Sequence, residues 1–142
     1  MNLMLQTTTD FLETLKKNEW KYKDLQELDN GNDRVCCGVN GKLTTVDFNF
    51  FFDKDGHAFT MRIFRLFTVP IDKKLQLMEV MNTVNKDYRW IKFFIDNECW
   101  MNVQADAIIN SENAGAVGME LMIRTMQIID ETYPKFMHEI WT

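Results

Sequence analysis

DRVCCGVNGKLTTVDFNFFFDKDGHAFTMRIFRLFTVP, residues 33–70, carries two turn signals inside one alternating apolar pattern. Val35, Cys37 and Val39 alternate with Arg34, Cys36 and Gly38. That period of two marks a half-buried strand, because successive side chains leave opposite faces. Asn40-Gly41 is the dipeptide favoured in two-residue hairpins, and a turn there sets Val35 opposite Val46 and Arg34 opposite Asp47. The second strand then carries Val46, Phe48, Phe50 and Phe52 on one face and Thr45, Asp47, Asn49 and Phe51 on the other. DKDG, residues 53–56, reads as a four-residue turn that sets Phe48 opposite Met61, Val46 opposite Ile63 and Asp47 opposite Arg62. Both registers place apolar residues together on one face and Arg34, Asp47 and Arg62 in a row on the other, so a three-stranded meander is expected. The exposed ion row is worth about 0.5–1 kcal/mol, and it specifies register more than it stabilises.

Outward from this stretch the period lengthens. TTTDFLETLKK reads as a first helix, with Asp10 and Glu13 at capping-box spacing and Phe11, Leu12 and Leu15 as its apolar stripe. Residues 18–33 keep no period and are expected to be irregular, with one short extended piece. Pro70 ends the third strand, and Asp72 caps a helix to about Lys86 with Leu77, Met81, Val84 and Tyr88 on one side. WIKFFIDNECWMNVQAD, residues 90–106, reads as a second hairpin. A three-residue loop, Asp96 to Glu98 with Asn97 left-handed, pairs Ile95 with Cys99, Phe93 with Met101 and Ile91 with Val103, and sets Phe94 opposite Trp100. From about Asn113, Met119, Met122, Met126, Ile129, Tyr133, Phe136 and Ile140 form the seam of a long helix that Pro134 should kink or restart. The expected fold is α+β in two layers: a five-stranded antiparallel sheet with helices on one face, in the order α-β-β-β-α-β-β-α.

Composition narrows the function. A chain of 142 residues, 46% apolar and 26% charged, fits one globular domain, residues 1–142. Sixteen basic against 21 acidic residues, with no basic run longer than two, argue against nucleic acid. No apolar run is long enough for a membrane span, and MNLMLQTTTD has no basic region of a signal peptide, so a cytoplasmic protein is expected. Cys36, Cys37 and Cys99 make no disulfide framework and read as reduced core or face residues.

Chemistry-bearing patterns are sparse. Ser111 is the single serine, and neither His57 nor His138 sits in a motif that would activate it. Gly115-Ala-Val-Gly118 lacks the lysine of a phosphate-binding loop, and Asp53-Lys54-Asp55-Gly56 lacks the distal ligands of a calcium loop. No catalytic residue, metal or cofactor is expected; the enzymatic alternative is a small hydrolase or transferase using Ser111, His57 and loop carboxylates.

The two-layer arrangement leaves an outer sheet face carrying Phe51, Phe64, Trp90, Phe94 and Trp100, with Arg62 and Lys92 among them. Each aromatic buries about 150–250 Å² when covered, whereas a monomer's largest apolar patch is about 300–600 Å². Three clustered rings therefore require cover: a folded-back segment such as residues 18–30, a second copy in a homodimer, or a protein or peptide partner of acidic or mixed character.

MNTVNKDYRWIKFFID and IIDETYPKFM, set in this element order, resemble the YbjN family, described as putative bacterial sensory transduction regulators. The resemblance covers most of the chain and is most specific at Val84-Asn85, ahead of a strand that runs into an acidic turn, and at Asp130 with Tyr133-Pro134. These are structural motifs with no catalytic residues to carry over. The resemblance implies a fold similar to type III secretion chaperones, small acidic dimers that bind segments of other proteins. A cytosolic, non-enzymatic binding module is thus expected, homodimeric and holding part of another protein; a dedicated secretion chaperone is a narrower alternative.

Overall fold

A computed structural model describes residues 4–142, and in it the alternating stretch forms β2 (Asp33–Asn40), β3 (Thr45–Phe52) and β4 (Ala58–Thr68). The faces fall as expected: Phe48, Phe50, Met61 and Ile63 are buried on one side, and Phe51, Arg62 and Phe64 lie on the other. The registers differ. Val35 pairs with Phe50 rather than Val46, and Asn49, not Asp47, lies opposite Arg62. Both slips are by an even number of residues, so no side chain changes face.

Tertiary docking overrides the local turn preference at the first hairpin. Gly41 N–H bonds Thr44 O at 2.9 Å, closing a longer loop, and Lys42 N–H donates to Asp130 Oδ1 at 3.0 Å on the last helix. A Cβ at Gly41 would strike the Met126 methyl, so glycine is needed there for close approach. The slip dissolves the expected ion row. Arg34 now lies opposite Phe51 and bonds Asp24 at 2.9 Å and Asn49 at 3.0 Å, while Lys23 takes Asp47 at 3.0 Å.

The sheet has six strands, not the five expected, because Asp24–Glu27 in the segment read as irregular forms β1 and pairs with β2. With β5 (Lys92–Ile95) and β6 (Trp100–Ile108), the order is β1-β2-β3-β4-β6-β5, antiparallel throughout. In the second hairpin Phe93 pairs with Val103 and Ile95 with Met101, again two residues from the expected register.

Helix α1 (Gln6–Lys17) does not cap itself. Buried Asp33 instead accepts from Leu5 N–H at 3.0 Å and Thr8 Oγ1 at 2.7 Å, satisfying the first turn from the neighbouring strand. Asp10, expected to cap its own helix, accepts from Gly115 N–H at 2.7 Å and so caps α3 (Ala114–Trp141). Gly115 and Gly118 let α3 lie against α1; a Cβ at Gly118 would come within 2.7 Å of the Phe11 ring. α3 runs on through Pro134 as one 28-residue helix instead of restarting there. α2 (Lys74–Asp87) follows a 3-10 turn at Ile71–Lys73 that holds Asp72, and no side chain caps it. Phe11, Leu15, Leu77, Met122, Ile129 and Phe136 from the helices meet the inner sheet face in one core.

Replacing Asp33 with Ala removes a charged acceptor from a buried helix start, so urea unfolding should show a loss of about 1–3 kcal/mol. A loss below about 0.5 kcal/mol would mean that water replaces the cap and that Asp33 does not hold α1.

Candidate functional site: the outer face of the sheet

Antiparallel pairing assembles the outer face in rows. Arg34, Phe51, Thr60 and Asp106 form one row; Cys36, Asn49, Arg62, Gln104 and Lys92 form the next; Asn102 and Phe94 lie beyond. Of residues 18–30, the expected intramolecular cover, Asp24–Glu27 extend the sheet edge as β1, and Lys23 reaches over Gly38 to Asp47 at one end of the outer face. Phe64 keeps 48% of its surface exposed, and its ring meets Phe51 edge-on at 6.4 Å. Phe94 and Trp100 are half-buried.

A bulge positions Phe64. Ile63 pairs with Val103 and Phe67 with Met101, so Phe64, Arg65 and Leu66 stand opposite Asn102 alone. Arg65 takes φ +55° at the kink, and its N–H donates to Asn102 Oδ1 at 3.1 Å. Asn102, only 3% exposed, donates in turn to Asp96 Oδ2 at 2.9 Å and Trp100 O at 3.0 Å. The other Asp96 oxygen accepts from Glu98 N–H at 2.9 Å and Trp100 N–H at 3.0 Å. One carboxylate and one amide thus set the hairpin tip that presents Trp100.

The same bonds explain the slipped register. The loop has three residues as expected, but they are Asn97 to Cys99: Cys99 N–H bonds Asp96 O at 3.1 Å and Asp96 N–H bonds Trp100 O at 3.0 Å. Asp96 holds the turn through Glu98, and the left-handed residue falls at Cys99, φ +61°, rather than Asn97. The Arg65 guanidinium lies 5.8 Å above the Trp100 ring and 3.5 Å from Glu98. Sequence reading missed Arg65, Asp96 and Asn102, because a bulge leaves the alternation on either side intact.

Two expected members belong elsewhere. Trp90 sits in a three-residue turn closed by Ile91 N–H to Arg89 O at 3.0 Å, with φ +80°. Its ring meets Arg124 of α3, which places it on the helical side. Lys92 has its backbone in the outer row, but its ammonium donates to Asn85 O at 3.0 Å and Tyr88 O at 3.3 Å, at the carbonyl end of α2. Beside it, Asn85 donates to Phe93 O at 3.0 Å and accepts from Phe93 N–H at 2.8 Å, covering the free edge of β5 as another strand would.

Ser111 and His57 line one open depression with Lys54, Asp55 and Asn110, but no hydrogen bond among the described residues joins them. The Gly115 N–H that an external anion would use is taken by Asp10. No group of three or more His, Cys, Asp or Glu residues among those described could hold a metal. Burial pushes the Cys37 thiol up to about 12 and raises that of Cys36, so neither is a ready thiolate. No helix among the described residues is long and apolar enough to cross a membrane.

The Trp100 N–H, then the Asn102 amide, hold the Asp96 carboxyl below the usual aspartate range. Because the folded group ionises at lower pH than the unfolded one, its contribution is complete above about pH 5 and is lost as pH falls through the unfolded and then the folded value. Asp96→Asn should therefore be less stable than wild type at neutral pH, with the gap closing under acid. Tryptophan-monitored urea titrations across pH would show it, and a gap independent of pH would mean that the bonds do not depend on the charge.

The YbjN family profile, described as "Putative bacterial sensory transduction regulator", matches residues 10–140. No curated protein matches the chain. Among solved structures, "Crystal structure of YbjN, a putative transcription regulator from E. coli" aligns at TM-score 0.58 over 90% of this chain and 92% of that one, with 12% identity, a likeness of fold. The profile match extends from α1 into the last turns of α3 and includes Val84-Asn85, whose amide covers the β5 edge, and Asp130, which receives the first hairpin. The chain belongs to the YbjN family.

Proposed function

We propose that this protein is a non-enzymatic regulatory module of the cytoplasm that holds a segment of a partner protein against the outer sheet face. The observation that carries this reading is the aromatic set Phe51, Phe64, Phe94 and Trp100, built on a clamped bulge and hairpin, with Phe64 exposed and the other three part-buried around it. Asn102 pairs the N–H freed by the bulge and bonds the Trp100 carbonyl, so the exposed Phe64 stands on a fixed base. Arg62 and Arg65 beside the rings suit a segment of acidic or mixed character. The family description names a regulator and no reaction, which also favours binding over catalysis.

The likeness to secretion chaperones expected from the sequence would place a second copy on the same face as a homodimer. A dedicated secretion chaperone would require one effector that becomes unstable without this protein. The hydrolase reading keeps Ser111 and His57 in their shared depression and places no demand on the aromatic face.

Affinity capture from the native host's lysate, with wild type beside folded Trp100→Asp and Phe64→Asp variants, tests the proposal. One protein should be enriched by wild type and reduced at least about tenfold in both variants, as expected for aromatic anchors at an interface. A partner retained equally by both variants would remove the outer face from its recognition. Sedimentation of the same three proteins would assign the face to self-association if only wild type is dimeric.

A further inference from the structure

We propose that the connection between α2 and β5, with Trp90 at its turn, is a second docking surface that takes an acidic segment of a partner protein. Cations gather there. Arg89 and Arg124 place their guanidiniums 4.6 and 5.2 Å from the Trp90 ring, and Lys135 places its ammonium 5.4 Å from the Tyr88 ring. Lys92 reaches Tyr88 O at 3.3 Å, and Lys86 lies in the last turn of α2. Among the described residues Lys86, Arg89, Lys92 and Lys135 form no ion pair; Arg124 is bonded to Glu120 at 2.7 Å, and Glu79 and Asp87 of α2 line a depression with Lys135, so the cations of this region outnumber the acids beside them. A concentration of positive charge against a chain of net charge −5 specifies the sign of what it receives.

Trp90 adds the second half of the argument. Its ring is half exposed and lies outside the core, and φ +80° is a backbone position that glycine takes freely and tryptophan takes only under strain. The ring packs against the guanidiniums of Arg89 and Arg124, outside the core. A guanidinium lying over a ring spends its face on the contact and keeps N–H donors free at its edge, so Arg89 and Arg124 remain able to receive carboxylates beside an apolar platform. An acidic segment with an interspersed aromatic fits that arrangement. A nucleic-acid strand would extend beyond the few cations and meet the acidic remainder of the surface. Because the Trp90 ring contacts α3, this surface is separate from the outer sheet face and independent of its role.

The test is fluorescence anisotropy of the full chain with a labelled peptide alternating Glu and Phe, beside a Lys and Phe counterpart and a single-stranded oligonucleotide. The acidic peptide should bind saturably and weaken as salt rises to about 300 mM. Arg89→Glu and Trp90→Gly should each weaken it about tenfold, the latter without loss of melting temperature because glycine fits the turn. Phe64→Asp, on the other face, should bind as wild type does. The proposal is overturned by no saturable binding, by unchanged affinity in Arg89→Glu or Trp90→Gly, by equal binding of the basic peptide, by tighter binding of the oligonucleotide, or by loss in Phe64→Asp.

Discussion

Phe11 closes the space between the last helix and the sheet. Its ring lies 4.6 Å from Phe50 and 5.4 Å from Phe52, and the Gly118 backbone rests on its other side. A side chain at Gly118 would lift α3, and α3 reaches far across the sheet: Phe136 near its end meets Phe67 at 5.3 Å and Phe93 at 5.2 Å. The position of Phe11 therefore propagates to the strands that form the aromatic face. Three carboxylates close the same circuit. Asp33 of β2 holds the start of α1, Asp10 of α1 holds the start of α3, and Asp130 of α3 holds the turn after β2. Hydrogen bonds to a charged acceptor are worth about 1.5–3 kcal/mol where they are shielded, so Asp33 and Asp10 contribute more than the exposed bond at Asp130.

Polar side chains also complete the sheet where backbone pairing ends. Asn85 presents one donor and one acceptor to Phe93, the pair that a further strand would supply. Asn102 does the corresponding work inside the sheet, bonding the Arg65 N–H that the bulge pulls out of the ladder. Leaving that N–H unpaired beneath Phe64 and Trp100 would cost about 1–3 kcal/mol. The bulge and its amide thus form one unit, and the outer face inherits its shape from both.

Alternation made the faces legible and left the registers open. A period of two distinguishes inside from outside for Phe48, Phe50, Met61 and Phe93, but a slip by two or four residues leaves that pattern unchanged. The registers were settled by long-range contacts: Asp130 reaching Lys42, and the Asp96 carboxylate gripping its own hairpin. The short extended piece expected in residues 18–33 is β1, whose place in the sheet is not legible because its four residues, Asp24 to Glu27, include one apolar side chain, Leu25, and depend on β2 for their conformation. Counting back from Phe94 places Trp90 on the outer face, which holds only while the strand continues. The turn at Ile91 ends the strand and turns the ring toward α3.

If a partner segment is held as proposed, the sheet edges constrain the mode. Adding a strand would give affinity through the backbone, but Asn85 already occupies the exposed groups of Phe93 on β5. At the opposite edge β1 is four residues long, and its Asp24 and Glu27 are exposed, which shortens the ladder and places carboxylates beside it. On the proposed reading, recognition on the outer face would come from side chains, and rings such as Phe64 and Trp100 suit that task because they add contact area with few rotatable bonds to immobilise. Their placement must be rigid to confer selectivity, since a mobile hairpin would surrender ordering entropy on binding. The bonds from Asp96 and Asn102 to the Trp100 backbone provide that rigidity within the folded chain itself.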